Sequence, residues 1–486
     1  MATACVTTAP PRLAEPAIRQ LGPSFFRAVG PEPLPEPHWV AINDLLAREL
    51  DLDKEWLASD EALELFSGNA DGGDIQPLAT VYSGHQFGVW AGQLGDGRAL
   101  LIGQTPDGQQ IQLKGSGRTP YSRGADGRAV LRSSIREYLC SAAMHGLGIP
   151  TTRALCIAGS PAPVYRERTE TAAVTTRTAP SFIRFGHFEH FSYAGEHREL
   201  KTLADFVLDR FYPDCRASEQ PYLALLQRVV RKTADLIASW QAAGFMHGVM
   251  NTDNMSILGL TLDYGPFQFM DAFDPAHICN HSDGLGRYAY QNQPGIAYWN
   301  LRALGHALLP LVPDAESMKR TVQTYEAAFA HAVGQRMAAK LGLAHASESG
   351  IQLVTDLLAL MARERTDYTI FWHALTQHMA GSSAAPLHDL FVDRAALDAW
   401  LIRFETLAQQ AGQAHSIARM QRANPAIVLR NHMAQEAIER AEAGDFSLVE
   451  ELLLALQQPD RAPAGHPEWM RFPPDWAAAI QVSCSS

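Results

Sequence analysis

The chain has 486 residues, of which 47% are hydrophobic and 19% charged, and its formal net charge is -12 at pH 7. This length suffices for two or three packed domains, and the ordinary apolar fraction excludes a mainly disordered chain. The acidic balance argues against a general nucleic-acid binder, because phosphate neutralisation needs clustered Lys and Arg. Scattered basic residues can still form a local nucleotide pocket.

Cysteine usage and hydropathy indicate a cytoplasmic protein. The six cysteines include no C-x-x-C pair, which removes the zinc and thioredoxin signatures, and they are too sparse for a disulfide scaffold. The sequence has no run of about 20 apolar residues that would cross a membrane. Residues 1–11 lack the charged start and apolar stretch of a secretory signal. We therefore expect neither a membrane nor a nucleic-acid partner.

The chain divides into four predicted regions. The first is an N-terminal wrapping extension (1–78), which carries prolines and two helical stretches. It is followed by a small β-rich lobe (79–195), a larger helical lobe (196–458) and a Pro-rich tail (459–486). The predicted strands lie at 99–104, 110–114, 154–158 and 181–185, and the predicted helices at 40–50, 60–66, 129–145, 222–243, 296–311, 424–443 and 447–456, from turn signals and apolar periodicity.

A glycine-rich turn precedes the first of these strands. Gly95 and Gly97 let backbone N–H groups approach phosphate oxygens without a Cβ clash, and Arg98 adds a fixed positive charge. By itself such a turn is more often an ordinary hairpin. Lys114 ends the returning strand, and Glu137 lies on the next helix, where a protein kinase keeps the ion-pair partner of its phosphate-binding lysine. The alternative is a solvated lysine and an exposed helical glutamate.

Arginines and glycines concentrate in the loop at residues 115–128. Its glycines make the loop entropically costly to order, and Arg118, Arg123 and Arg128 suggest that an anion orders it; a mobile solvated loop is the alternative. Arg177 and Arg184 follow. Arg184 stands between Ile183 and Phe185, so it is either an edge residue with its head in water or a phosphate ligand.

The stretch at residues 247–254, followed by Asp263-Tyr264-Gly265, is similar to the H-R-D-x-x-x-x-N and D-F-G motifs of protein kinases. Asn254 and Asp263 have the spacing of the two metal ligands, and their oxygens suit Mg²⁺. Two turns with ordinary Asn and Asp caps are the alternative. A long amphipathic helix before the motif, with Lys114 and Glu137 upstream, favours a kinase-like nucleotide site.

The catalytic base of a kinase is missing from this loop. Val249 occupies its position and cannot accept a proton, whereas Asp253 is the one carboxylate in the loop. Either the site is inactive or the base has moved to Asp253. An inverted ATP, with its α-phosphate over the metal and its β- and γ-phosphates in the arginine-rich loop, would place a different phosphorus near Asp253.

Long motifs at residues 82–88, 113–123, 247–257, 263–267 and 279–283 resemble the selenoprotein O family over nearly the whole chain. The resemblance implies an α+β, protein-kinase-like bilobal fold with a small β-rich N-lobe and a larger helical C-lobe. It also implies that the protein is a pseudokinase that transfers AMP from a flipped ATP to Ser, Thr or Tyr hydroxyls of proteins. The implied ATP-binding residues are Gly95, Gly97, Arg98, Lys114, Asp126, Gly127, Arg177, Arg184 and Asp263. Asn254 and Asp263 would bind Mg²⁺ or Mn²⁺, Asp253 would accept the proton, and Glu137 would pair with Lys114.

The family also directs attention to the tail, because its eukaryotic members carry selenocysteine third from the C-terminus. That position is Cys484 here, which is either a redox-active thiol or a cysteine in a frayed terminus. We hypothesise a disulfide between Cys279 and Cys484, which non-reducing peptide mapping under oxidising conditions would detect or refute.

Two other function classes compete with AMP transfer. A conventional phosphotransferase would need a carboxylate where Val249 stands. An inactive scaffold or redox protein would explain the missing base, but it gives no reason to keep Lys114, Glu137, Asn254 and Asp263 together.

Overall fold

The structure is a computed structural model that describes residues 12–70, 75–412 and 415–483. It has the α+β class expected from the sequence, with one large sheet and many helices. The two-lobed, kinase-like arrangement and the four regional boundaries stay predictions. No helix in the described ranges is long and apolar enough to cross a membrane.

The strands are mostly short and pair antiparallel within the sheets. They are β1 (Phe26–Ala28), β2 (His38–Ile42), β3 (Leu78–Thr80), β4 (Ser83–Gln86), β5 (Val89–Gln93), β6 (Ala99–Gln104), β7 (Gln110–Lys114), β8 (Ala129–Val130), β9 (Arg153–Tyr165), β10 (Thr169–Ala179), β11 (Phe245–Met246) and β12 (Gln268–Phe269). The large sheet runs in the order β1-β3-β6-β7-β10-β9-β2, with β8 paired to β10, while β4 and β5 form a separate hairpin and β11 pairs with β12. Strands from the predicted extension therefore pair at both ends of the sheet.

Helices make up most of the chain after β10. They are α1 (Asp44–Glu49), α2 (Lys54–Leu57), α3 (Asp60–Ser67), α4 (Leu131–Gly146), α5 (Phe185–Tyr193), α6 (His197–Phe211), α7 (Pro213–Arg216), α8 (Pro221–Ala243), α9 (Gln293–Ala307), α10 (Ala315–Lys340), α11 (Glu348–Glu364), α12 (Tyr368–Met379), α13 (Ala385–His388), α14 (Arg394–Ala411), α15 (Ile417–Ala423), α16 (Asn431–Glu442) and α17 (Ser447–Leu456). Short 3-10 turns lie at Ala17–Leu21, Thr252–Asn254, Tyr290–Asn292, Leu309–Leu311, Pro467–Met470 and Asp475–Ala479.

Three buried apolar clusters hold these elements together. One packs α1 to α3 against the sheet through residues such as Trp56, Phe66 and Val174. The largest joins α4 and the sheet to α8, and it includes Leu139 and Trp240. The third lies among α11, α12 and α14. The central strands β6 and β7 and one face of α8 are thus buried, and they anchor the loops that leave them.

The predicted elements differ from the structure most clearly at three places, while the helices predicted at 129–145 and 296–311 are Leu131–Gly146, after β8, and Gln293–Ala307. The strand predicted at 181–185 is wrong, because Arg184 instead caps α5, which begins at Phe185. The helix predicted at 424–443 begins only at Asn431, because the backbone N–H groups of Ala426 and Ile427 donate to the Pro459 carbonyl oxygen instead of forming helical hydrogen bonds. The helix predicted at 40–50 begins at Asp44, after β2 pairs with β9, and Asn43 caps it by accepting a hydrogen bond from the Leu46 backbone N–H.

Candidate functional site

A cavity of about 590 Å³ opens beside the ends of β6, β7 and β10 and the loops that follow α8. All ten residues predicted to bind ATP or metal contribute to its wall: Gly95, Gly97, Arg98, Lys114, Asp126, Gly127, Arg177, Arg184, Asn254 and Asp263. The predicted base Asp253 and the predicted ion-pair partner Glu137 do not line this wall. Some of these residues, such as Gly95 and Asp263, are well over a hundred positions apart in the sequence, so it is the fold that brings them together.

Two glycines close the cavity's outer edge and tolerate no side chain. Gly95 has φ +127°, and a Cβ there would lie 2.5 Å from the ring of Tyr121. Gly127 has φ +69°, and its Cβ would lie 2.0 Å from the carbonyl oxygen of Gly117. Left-handed backbone and close approach together require glycine at both positions. The arginine-rich loop therefore folds back onto the glycine-rich turn.

Lys114 and Glu137 form the predicted ion pair. The Lys114 Nζ donates to Glu137 Oε2 at 2.5 Å and to Asp263 Oδ1 at 2.9 Å. Lys114 is 8% exposed and Glu137 4% exposed, so neither is the solvated residue of the alternative interpretation. Burial lowers the pKa of Lys114, and Asp263 and Glu137 oppose that shift.

Arg177 and Arg184 complete a ring of cations around Asp263. Arg177 donates to Asp263 Oδ1 at 2.6 Å and to Glu137 Oε1 at 2.8 Å. Arg184 donates to Asp263 Oδ2 at 2.5 Å and to the Asp253 carbonyl oxygen at 2.8 Å. Arg184 is 4% exposed, so its guanidinium does not lie in water.

The Asp263 carboxylate is strongly held in its charged form. Burial acts to raise its pKa, but Arg177, Arg184 and Lys114 together keep the pKa well below its usual range. Strong pKa perturbation in a cleft, from burial and specific charged partners, marks a candidate functional site.

The two predicted metal ligands supply the right kind of donor. The Asn254 Nδ2 donates to the Val249 carbonyl oxygen at 2.9 Å, which leaves the amide oxygen for the cavity. An amide oxygen and a carboxylate suit Mg²⁺, which usually keeps waters and shares phosphate oxygens. The described residues contain no group of three or more His, Cys, Asp or Glu side chains able to hold a metal ion.

Asp253 sits beside the cavity with its carboxylate directed at the hairpin of β4 and β5. Its Oδ2 accepts a hydrogen bond from Gln86 Nε2 at 3.0 Å, while its buried Oδ1 has no hydrogen-bond partner among the described residues. Burial raises the pKa of Asp253 to about 6. A carboxylate with one free oxygen and a raised pKa has the properties of a general base.

Three consecutive hairpin residues bind three consecutive loop residues. Besides the Gln86 contact, the His85 backbone N–H donates to Thr252 Oγ1 at 2.8 Å, and the Phe87 backbone N–H donates to Asn251 Oδ1 at 3.0 Å. The sequence marks the segment at 82–88 as rich in glycine and aromatic residues, but it does not indicate this contact. No periodicity or spacing connects positions 167 residues apart; the concentration of glycine and aromatic residues was the available signal.

Arg166 is a second residue that sequence analysis missed. It lines the cavity and pairs with Asp126 at 2.7 and 2.8 Å. Asp126 also accepts from the Arg128 backbone N–H at 2.9 Å. The side-chain hydrogen bond from Arg166 is the main reason that the pKa of Asp126 is lowered. Asp126 thus holds two arginine-bearing segments at the cavity rather than only facing a ligand.

The predicted redox pair is described only in part. Cys279 is buried, and its Sγ donates to the Pro266 carbonyl oxygen at 2.9 Å. Asn280 pairs with Val482 of the tail, where the His281 backbone N–H donates to the Val482 carbonyl oxygen at 2.9 Å. Cys484 lies outside the described residues, so the proposed disulfide stays a prediction.

Comparisons with known proteins agree on one family. The model for the family described as protein adenylyltransferase SelO matches residues 12–457. A Variovorax paradoxus (strain S110) protein named protein nucleotidyltransferase YdiU is 57% identical over 477 residues, covering 97% of both chains. Proteins of the same name from Albidiferax ferrireducens and Cupriavidus metallidurans are 56% and 52% identical, covering 96% and 97% of this chain and 96% and 91% of the relatives.

Proposed function

The chain belongs to the family of protein adenylyltransferase SelO, and on that premise we propose that it transfers AMP from an inverted ATP to Ser, Thr or Tyr hydroxyls of proteins. We also infer that the sheet and the helices after it form the two lobes of a kinase-like fold. The observation that carries the proposal is the cationic cavity around Asp263, with Asp253 immediately beside it.

The distribution of charge in the cavity supports the inverted nucleotide. Seven cationic side chains line it: Arg98, Lys114, Arg123, Arg128, Arg166, Arg177 and Arg184. Four of them, Arg98, Arg123, Arg128 and Arg166, come from the glycine-rich turn, the arginine-rich loop and the position that follows β9. A terminal β,γ-diphosphate held there would leave the α-phosphate over the predicted metal ligands. Arginine suits this role because its planar fork binds phosphate oxygens bidentately.

The proposed reaction is an in-line displacement at the α-phosphorus. The acceptor hydroxyl oxygen forms a bond to Pα, the bond between Pα and the bridging oxygen to Pβ breaks, and pyrophosphate leaves with that electron pair. The hydroxyl proton passes to Asp253 Oδ1, the oxygen without a partner among the described residues. Gln86 holds the other oxygen and so fixes the direction of the carboxylate.

Asn254 and Asp263 would hold the divalent ion, Mg²⁺ or Mn²⁺, both of which accept amide and carboxylate oxygens. Bound there, the ion would neutralise charge that develops on the phosphate oxygens. Lys114, Arg177 and Arg184 already share the Asp263 carboxylate. These three cations are therefore placed to move their hydrogen bonds to phosphate when the nucleotide binds.

Labelled ATP distinguishes this proposal from its competitors. The protein is incubated with a protein acceptor and ATP labelled at either the α- or the γ-phosphate, with the variant Asp263→Ala as control. We expect protein-bound label from the α position only, and none in the variant. Label from γ alone would instead establish a phosphotransferase, and no label from either position would favour an inactive scaffold.

A further inference from the structure

A second cavity, of about 180 Å³, lies where α8, α10 and α12 meet. It shares no lining residue with the nucleotide cavity. Its charged lining residues are Arg336, Lys340 and Arg422, and no aspartate or glutamate of the described chain lines it. A concave site with one sign of charge concentrates ions of the opposite sign.

Lys340, at the end of α10, is the most buried of the three cations. It is 3% exposed, and its Nζ donates to the Ala423 carbonyl oxygen at 3.2 Å. The ring centroids of Trp372 and Tyr368 lie 4.9 and 5.5 Å from it. Within the described ranges, no carboxylate lies within 4.0 Å of this ammonium group. A buried charge is normally paired, and here the protein supplies only a carbonyl and two ring faces.

One further feature of the wall favours an anionic occupant. Thr369 lies in the first turn of the 12-residue helix α12, whose N-terminus carries partial positive charge.

We propose that this cavity is a binding site for a small phosphate-type oxyanion, held by Lys340, Arg336 and Arg422. At about 180 Å³, the cavity is below the roughly 300–1,000 Å³ of pockets that take larger ligands, so it fits a single phosphate group and not a nucleotide. Arg336 lies at the rim: its Nε donates to Ser239 Oγ at 2.9 Å, and its Nη1 donates to the Ala332 carbonyl oxygen at 3.2 Å and lies 3.7 Å from Asp235 Oδ1, which does not line the cavity. The ligand would tie the ends of α8, α10 and α12 together.

The competing interpretation is that Lys340 has a purely structural role, capping the Ala423 carbonyl. The two interpretations differ in a measurable way, because only a binding site makes phosphate affinity depend on Lys340 and Arg422.

The test is equilibrium dialysis of the full chain against ³²P-labelled inorganic phosphate. Excess α,β-methylene ATP blocks the nucleotide cavity. Wild type is compared with Lys340→Met and with Lys319→Met, which removes an exposed charge from the same helix. We expect wild type and Lys319→Met to bind one phosphate, and Lys340→Met to bind it roughly 10- to 100-fold more weakly, as for a lost hydrogen bond to a charged group.

A second variant guards against misfolding of Lys340→Met. Arg422 is exposed, so Arg422→Gln leaves the core intact, and we expect a roughly 2- to 5-fold loss of phosphate affinity. Equal phosphate binding by wild type and both site variants, or none by wild type, overturns the proposal. Neither result depends on AMP transfer.

Discussion

At Asp263, one carboxylate accepts hydrogen bonds from Lys114, Arg177 and Arg184. The variant Asp263→Ala removes a proposed metal ligand and leaves three cations without their shared anion. We expect metal-dependent AMP transfer to fall by at least about 10²-fold, the scale of losing one preorganised charge-stabilising group. Kinetics with labelled ATP measure the loss, and Asp274→Ala, half-buried and paired with Arg365, is the matched control. Retained turnover would show that Asp263 is not a metal ligand.

At Asp253, the free Oδ1 and the raised pKa indicate the proton acceptor. Asp253→Ala should keep ATP affinity and lose AMP transfer by roughly 10²–10⁴-fold, because that is the contribution of a positioned base. The informative measurement is kcat alongside the Kd for ATP. Near-normal kcat in this variant would exclude Asp253 as the base.

Lys340 makes stability depend on pH. Burial lowers its pKa to about 7 from its usual value of 10.5, so between these values the unfolded chain binds more protons than the folded chain. The contribution of Lys340 to the free energy of unfolding therefore rises as the pH increases through that window, and this contribution is lowest below a pH of about 7. The other charged groups lining its cavity are Arg336 and Arg422.

Chemical denaturation of wild type and Lys340→Met at pH 6.5 and 9.5 would check this expectation. The stability of wild type relative to the variant should increase between the two pH values in phosphate-free buffer. If the difference in the free energy of unfolding between wild type and Lys340→Met does not change with pH, the expectation is wrong.

At the scale of elements, the hairpin of β4 and β5 and the loop at 251–253 act as one unit. Gly84 makes this possible, since a Cβ there would lie 2.9 Å from Thr252 Oγ1 and 3.2 Å from the Asp253 Cβ. Gly84→Ala should push the hairpin away from the loop and weaken the Gln86 contact. We expect kcat for AMP transfer to fall by roughly 10-fold or more, within the range of losses from misplaced catalytic groups, with the Kd for ATP unchanged.

Gly30→Ala is the control for that variant, because a Cβ at Gly30 would meet no atom within 4 Å. Equal kcat for the two glycine variants would mean that the hairpin does not position Asp253.

Elements with strong local signals were predictable, and contacts between them were not. Residues 99–104 and 110–114 form strands as predicted, because apolar runs flank an Asp-Gly turn whose Gly108 has φ +91°. Residues 181–185 carry a similar apolar run, but packing brings Arg184 to Asp263 and starts α5. Likewise, Lys114 and Asn254 were identified from motif spacing, whereas Gln86 and Arg166 act through tertiary contacts that no local pattern encodes.

For the whole molecule, a buried ion pair joins distant parts of the helical region. Arg430, at 2% exposure, donates to both oxygens of Asp367 at 2.9 Å and also to Asp271. Asp367 caps α12, and Arg430 precedes α16. Arg430→Met should destabilise the protein by about 3–5 kcal/mol, because two carboxylates would lose their buried partner.

Chemical denaturation measures that loss. Arg403→Met, which removes an exposed pair with Asp356, should cost only about 0–1 kcal/mol. Similar losses in both variants would mean that the Arg430 pair contributes no more than a surface ion pair.

The pairing of the tail with residue 280 has a practical use. Val482 accepts a hydrogen bond from the His281 backbone, and Asn280 Nδ2 donates to the Gly248 carbonyl oxygen at 3.0 Å, inside the stretch that carries Asp253. A fluorophore attached at Ser483, the residue after Val482, would therefore lie close to the stretch at residues 247–254 where the reaction is proposed to occur. We expect such a label to report changes in that stretch on nucleotide binding, whereas a bulky group at Ser483 would press on the same stretch.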